Sequence, residues 1–256
     1  MSKNLLTEIE IGPRNRATWH FSNYPTPIVQ VLDESEVPTE VNSRSDGPKV
    51  EAVVFDWGGV ITIPPGPVIE KLYKEVDIDQ KKLRTRRAEY RDDDPDSQFA
   101  KLERGELSLD AYLTWSHSDL PGAEAIWDPR SPHFLFSHLK VVPEVVNRIS
   151  QLRQRGLITG LLTNNIAEAW PVVTEALDVE KLFDVVVNSA FVGMRKPEER
   201  IYTHLLDELE MEPENVLFLD DNRINVDAAR ARGIQVIEVT EPVAAWTKIE
   251  EILGTA

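Results

Sequence analysis

From Val50 onward the chain alternates short apolar runs with longer segments whose apolar residues recur at helical spacing. The run VEAVVFDW, residues 50–57, is rich in β-branched side chains and ends in a carboxylate, the pattern of a short strand buried on both faces. Comparable runs recur as LITGLLTNN (157–165), DVVVNSA (184–190), NVLFLDDN (215–222) and IQVIEV (234–239). Between them, EVVNRISQLRQRG (144–156) carries helical periodicity and closes on glycine. PEERIYTHLLDELEM (197–211) opens on proline and an acidic first turn, as helix N-termini do, and NVDAARARG (225–233) again ends on glycine. Strands alternating with helices predict an α/β fold, a parallel sheet covered on both faces.

The stretch 63–142 interrupts this alternation. VIEKLYKEV, KKLRTRRAEYR and LERGELSLDAYLTWS are helical in pattern and no segment there reads as a strand, which predicts an inserted helical subdomain rather than a long loop. Residues 1–49 differ again, mixing proline, serine and acidic residues with few apolar ones. They predict an extension with little regular structure, in which Trp19, Phe21, Tyr24, Ile28 and Val31 can pin part of the chain to a core. The expected layout is a core over 50–62 and 143–256, a helical insertion over 63–142 and an N-terminal extension.

Composition narrows the classes. At 256 residues, 41% hydrophobic and 28% charged, the chain has the makeup of a globular protein. No apolar run approaches the roughly twenty residues that cross a bilayer, and no long apolar segment follows the first basic residue, so the expectation is a cytoplasmic protein. The absence of cysteine removes disulfides, thiolate ligands and thiol nucleophiles together. A net charge of -16 disfavours nucleic acid and anionic membranes as partners. It also means that a phosphate-handling site would need a cation and local basic side chains. Nothing in the sequence sets an oligomeric state.

Candidate chemistry lies where strands end, the edge at which open parallel sheets bind ligands. The first run ends in Asp56-Trp57-Gly58-Gly59, the second in Thr163-Asn164-Asn165 and the fourth in Asp220-Asp221-Asn222, while Lys196 follows the third, just before a helix. Singly, each has a plain structural explanation as a turn former or cap. Together they suit phosphoryl transfer, which needs an in-line nucleophile, neutralised phosphoryl oxygens and a bridging metal. Asp56 supplies the nucleophile, and Asp220 and Asp221 supply oxygen ligands for a hard cation. Lys196, the Thr163 hydroxyl and the Asn164 amide supply positive charge and hydrogen-bond donors.

VVFDWGGVIT, GLLTNN, VGMRKPEERIY and VLFLDDNRINVDAARARG resemble the four ordered motifs of the haloacid dehalogenase-like hydrolase superfamily. The last two and the inserted LERGELSLDAY are similar to the phosphatase domain that precedes epoxide hydrolase in fused enzymes. The resemblance covers residues 50 to about 250. It implies a Rossmann-like three-layer core with a helical cap inserted after the first strand. It implies Asp56 as the phosphorylated nucleophile and a Mg2+ ion held by Asp56, the Gly58 carbonyl and Asp221, with Asp220 in support. Thr163 and Asn164 would bind phosphate, Lys196 would stabilise charge, and the substrate would be a small phosphorylated metabolite.

One departure stands out. Phosphatases of this superfamily usually carry a general acid–base aspartate two residues after the nucleophile, where this chain has Gly58. Some relatives with glycine there are phosphatases. Either the substrate has a good leaving group, such as an anomeric or acyl phosphate, or a cap residue (Glu106, His117 or His133) supplies the proton, or turnover is lost and binding remains. A carbon–halogen hydrolase of the same superfamily is disfavoured by the acidic pair, and a phosphomutase by the missing acid–base group. Elsewhere, Trp57 is expected to pack beneath the cap and Trp115 and Trp127 to fill its core. RTRRAEYR (84–91) reads as a solvated helix face and RDDDPD (91–96) as a turn.

Overall fold

The five apolar runs form parallel strands, β1 (Ala52–Phe55), β2 (Ile158–Thr163), β3 (Val185–Asn188), β4 (Val216–Asp220) and β5 (Gln235–Glu238), in the order β3-β2-β1-β4-β5. The structure, a computed structural model, describes residues 49–254 except 77 and 90–92, and leaves the side chains of 86–89 aside. The extension with its five apolar anchors therefore lies outside the described residues, as do the end of RTRRAEYR and the start of RDDDPD. Among the described residues, five α-helices occupy the inserted stretch 63–142: α1 (Pro65–Glu75), α2 (Gln80–Glu89), α3 (Gln98–Glu103), α4 (Leu109–Asp119) and the single turn α5 (Leu135–His138). After them come α6 (Pro143–Gln154), α7 (Trp170–Ala176), α8 (Val179–Leu182), α9 (Ser189–Val192), α10 (Glu199–Leu209), α11 (Arg223–Ala231) and α12 (Ala245–Ile252).

Alternation along the strands builds two apolar layers. Val53, Phe55, Leu217 and Leu219 join Val145, Ile149 and Leu152 of α6 and Ile249 of α12 on one face. The Trp246 ring of α12 stacks on Phe55, 6.0 Å between centroids. Ala52, Val54, Val216 and Phe218 pack on the other face against Ile201, Leu205 and Leu209 of α10 and Ala229 of α11. The three-layer Rossmann-like α/β architecture read from the sequence is thus the observed one.

The inserted stretch leaves and rejoins the sheet layer through one antiparallel crossing. There the Ile63 amide donates to the Lys140 carbonyl and the Val142 amide to the Ile61 carbonyl, both at 2.9 Å. Ile78, Leu83, Leu120 and Ala123 form a small apolar cluster within it, whereas Leu72, Ile126, Leu135 and Leu139 belong to the layer beneath Phe55. Leu102, Tyr112 and Phe134 pack with Ile166 and Ala169, which follow β2.

Two sequence expectations need correction, and LERGELSLDAYLTWS, helical in pattern as read, divides into two helices. Gly105, at φ +68°, ends the first, and the Ser108 side chain caps the second by accepting from the Ala111 amide. Helix α10 begins at Glu199, so Pro197, joined to Lys196 by a cis peptide bond, precedes it. Trp115 is 38% exposed and lies against Tyr112, because α4 turns Tyr112, Leu113 and Ser116 inward instead. Trp127 does pack in the cluster, against Phe99 at 4.6 Å, and Trp57 is buried. Among the described residues no helix is long and apolar enough to cross a membrane.

Candidate active site

The register that pairs Phe55 of β1 with Leu219 of β4 sends Asp56 and Asp220 off the same edge of the sheet, side by side. The Asp56 amide donates to the Leu219 carbonyl at 2.9 Å, which fixes the backbone from which its carboxylate projects. Lys196, only 1% exposed, reaches in from the segment after α9. Its ammonium lies 2.7 Å from Asp56 Oδ1 and 2.6 Å from Asp220 Oδ2, and donates to the Leu162 carbonyl at 3.0 Å. Those three acceptors match the three protons an ammonium has to give.

The neighbours hold these groups in place. Asn164 pairs twice with the Lys196 backbone, accepting from its amide at 2.8 Å and donating to its carbonyl at 2.9 Å. Asp220 accepts from the Asn222 amide at 2.8 Å and from Asn225 Nδ2 at 3.1 and 3.2 Å. Asn225 belongs to α11, and its carbonyl accepts from the buried Tyr202 hydroxyl at 2.9 Å. Thr163 closes β2, 2% exposed, with its hydroxyl 3.4 Å from the Asn164 carbonyl.

Asp221 completes an acidic trio: one carboxylate oxygen each from Asp56, Asp220 and Asp221 lie within 4.8 Å of one another. The turn after Asp56 makes room for it. Gly59 sits at φ +69°, and a Cβ there would overlap the Asp221 carboxylate. Gly58 has no such crowding, since a Cβ would meet only the Pro65 ring, 3.7 Å from Cγ and 4.0 Å from Cδ. Burial pushes the Asp56 carboxyl up to about 8, against the pull of Lys196 and with Asp220 and Asp221 adding to the rise. Burial works against the Lys196 charge as well, but Asp220 and Asp56 outweigh it and hold its pKa above the ordinary value.

Three carboxyl groups facing one ammonium make a buried edge whose acids outnumber its single base. The donors are all hard oxygens, and Gly59 keeps the space between its turn and Asp221 clear. That set fits a small divalent cation of the magnesium class. All seven residues singled out in the sequence (Asp56, Gly58, Thr163, Asn164, Lys196, Asp220 and Asp221) lie at or immediately beyond the carboxyl ends of β1, β2 and β4 or in the segment after α9.

Sequence reasoning missed Asn225 and a set of ion pairs that tie the inserted stretch to the Lys196 segment. Arg195 Nε meets Glu103 Oε2 at 2.6 Å with both side chains under 9% exposed, and Arg104 Nη1 meets Glu198 Oε1 at 2.9 Å. Asn225 carried one usable signal, an amide on the face of α11 that Val226 and Ala229 bury. The charged residues carried none, since helix-flanking Glu and Arg are ordinarily solvated.

The chain belongs to the haloacid dehalogenase-like hydrolases, whose family model matches residues 50–233. It is 32% identical over 216 residues to acyl-CoA dehydrogenase family member 10 of Mus musculus, a match covering 83% of this chain and 20% of that protein. It is 33% identical over 108 residues to bifunctional epoxide hydrolase 2 of Rattus norvegicus, covering 41% of this chain and 20% of that one. The chain thus spans about a fifth of the length of these two relatives, and the likeness to the epoxide hydrolase subgroup is borne out. A phosphoglycolate phosphatase of Salmonella typhi is 29% identical over 123 residues, 43% of this chain and 49% of its own. Among solved structures, a variant of a haloacid dehalogenase family enzyme from Bacteroides thetaiotaomicron, in complex with magnesium and inorganic phosphate, superposes with a TM-score of 0.59. That match covers 75% of this chain and 96% of the other, and at 16% identity it is a likeness of fold.

Proposed function

We propose that this chain is a magnesium-dependent phosphatase of small phosphorylated metabolites, with Asp56 as its nucleophile. The observation that carries this reading is the Lys196 ammonium bridging Asp56 and Asp220, with Asp221 completing the acidic trio beside them. The Asp56 carboxylate attacks phosphorus in line with the leaving oxygen and forms an aspartyl-phosphate; water then cleaves it and regenerates the carboxylate. Lys196 aims Asp56 and offsets the repulsion between its carboxylate and the phosphoryl oxygens. The Thr163 hydroxyl and the second amide proton of Asn164 donate to those oxygens, while the first keeps Lys196 in register. Asp56, the Gly58 carbonyl and Asp221 would hold the magnesium ion, with Asp220 in support. When bound, that ion neutralises charge on the transferring phosphoryl group.

In this reading helices α1–α5 serve as the cap that shapes the substrate pocket and excludes water. The phosphoglycolate phosphatase and the magnesium- and phosphate-bound neighbour support phosphoryl chemistry. The acidic pair Asp220-Asp221 speaks against attack on a carbon–halogen bond. The test is a panel of phosphorylated metabolites assayed with and without magnesium. Phosphate release that needs magnesium and disappears in Asp56→Asn supports the reading; no release from any member at high enzyme concentration sinks it.

A further inference from the structure

Among the described residues, the proton donors close to Asp56 are engaged elsewhere. Position 58, two residues after the nucleophile, has no side chain. Lys196 spends its three protons on Asp56, Asp220 and the Leu162 carbonyl. The Tyr202 hydroxyl donates to the Asn225 carbonyl, and burial pushes its pKa up.

The candidates in the inserted stretch each face another charged side chain. Arg104 grips Glu106 at two points, Nε to Oε1 and Nη2 to Oε2, each 2.8 Å. That hydrogen bonding holds the Glu106 carboxyl below the ordinary range, so it is anionic at neutral pH and has no proton to give. His117 lies 2.7 Å from Glu124 with 64% of its side chain exposed, and His133 faces Glu75 at 3.6 Å.

We infer that the substrates are phosphoryl compounds whose leaving oxygen departs as a stable anion without being protonated, above all acyl phosphates. This inference rests on the phosphatase reading and sharpens it. In the first step a bond forms between an Asp56 oxygen and phosphorus while the bond from phosphorus to the acyl oxygen breaks. The electron pair goes to that oxygen, which leaves as a carboxylate, and no proton moves. In the second step water attacks phosphorus, the pair returns to the Asp56 carboxylate, and the proton lost by water passes to phosphate or solvent. An alkyl ester would have to expel an alkoxide, the step for which general acids typically supply about a hundred- to ten-thousand-fold in rate.

The experiment is a leaving-group series on the full chain with magnesium: acetyl phosphate, nitrophenyl phosphates of graded acidity, phenyl phosphate and glycerol phosphate. The expected kcat/KM falls steadily as the leaving oxygen becomes more basic, with acetyl phosphate ahead of glycerol phosphate by at least about a hundredfold. Gly58→Asp tests the cause independently. The space towards Pro65 accepts a side chain, and φ at this position is not positive. The variant should narrow the gap between acetyl and glycerol phosphate by about a hundredfold. A wild-type series with no dependence on leaving-group acidity overturns the inference while leaving the phosphatase reading intact. A chain that hydrolyses no member, and whose Asp56 gains no phosphoryl group from acetyl phosphate by mass spectrometry, overturns both.

Discussion

Gly59 faces Asp221 so closely that a side chain at position 59 would force the Asp221 carboxylate out of its place. The relationship is not a demand of the turn alone. A positive φ of +69° costs a non-glycine residue about 1–2 kcal/mol of stability, but the overlap falls on the carboxylate expected to bind the cation. Gly59→Ala should therefore weaken magnesium binding by about ten- to a hundredfold, on the scale of lost supporting contacts at metal sites. Calorimetric titration with magnesium checks this, and Gly58→Ala is the comparison, because a Cβ there meets only Pro65. Equal losses in the two variants would mean that the clearance at Gly59 has no part in binding.

Lys196 is the charge on which the buried edge depends. Asp220 is fully buried, and removing its partner leaves a carboxylate compensated only by the Asn222 amide and Asn225. Lys196→Met should cost about 3–5 kcal/mol, the range for breaking one half of a buried ion pair. Lys196→Met/Asp220→Leu should recover part of that loss, since the unpaired charge is gone. Urea denaturation of the single and double variants measures both effects. A single variant as stable as wild type would show that the pair is not under the desolvation its burial implies.

The sheet and its chemistry were legible because they follow local rules. Apolar runs at Val50, Leu157, Asp184, Asn215 and Ile234 announce strands, and polar residues at their ends mark the edge where ligands bind. What the sequence hid was pairing across distance. Arg195 and Glu103 lie 92 positions apart, and nothing local distinguishes their buried ion pair from two solvated charges. Asn164 reads as a phosphate donor, yet its amide also clasps the Lys196 backbone from 32 positions away. The break at Gly105 was written in the sequence, but the helical periodicity on either side of it masked the stop.

The Asp56 carboxyl gives a pH dependence with a definite sign. Folding raises its pKa from 3.8 to about 8, chiefly through burial, so the metal-free fold favours the protonated form. The resulting stabilisation is complete below the unfolded value and is lost as pH rises through about 8. A cation prefers the ionised form, so magnesium affinity should climb as pH rises towards 8 and level off above it. Binding near neutral pH should release protons. Calorimetry in buffers of different ionisation enthalpy reads that release directly. Affinity independent of pH between 6 and 9 would contradict a carboxyl held up near about 8 by burial.

The two ion pairs around Lys196 run in opposite senses: the inserted stretch gives an acid, Glu103, to Arg195 and a base, Arg104, to Glu198. They flank Lys196 at one residue before and two after, so the inserted helices and the lysine are held by the same clasp. The Glu103–Arg195 pair is the buried one, so removing Glu103 takes a buried carboxylate from the Arg195 guanidinium. Glu103→Leu should therefore destabilise the fold by about 3–5 kcal/mol, while Glu103→Leu/Arg195→Met should cost less than either single change. The coupling, extracted from a thermodynamic cycle of the four proteins, should exceed about 1 kcal/mol. Hydrogen exchange supplies a second reading, because the amides of residues 195–198 should exchange faster in Glu103→Leu than in wild type. Additive single changes with unaltered exchange would mean that the clasp neither couples the two segments nor steadies Lys196.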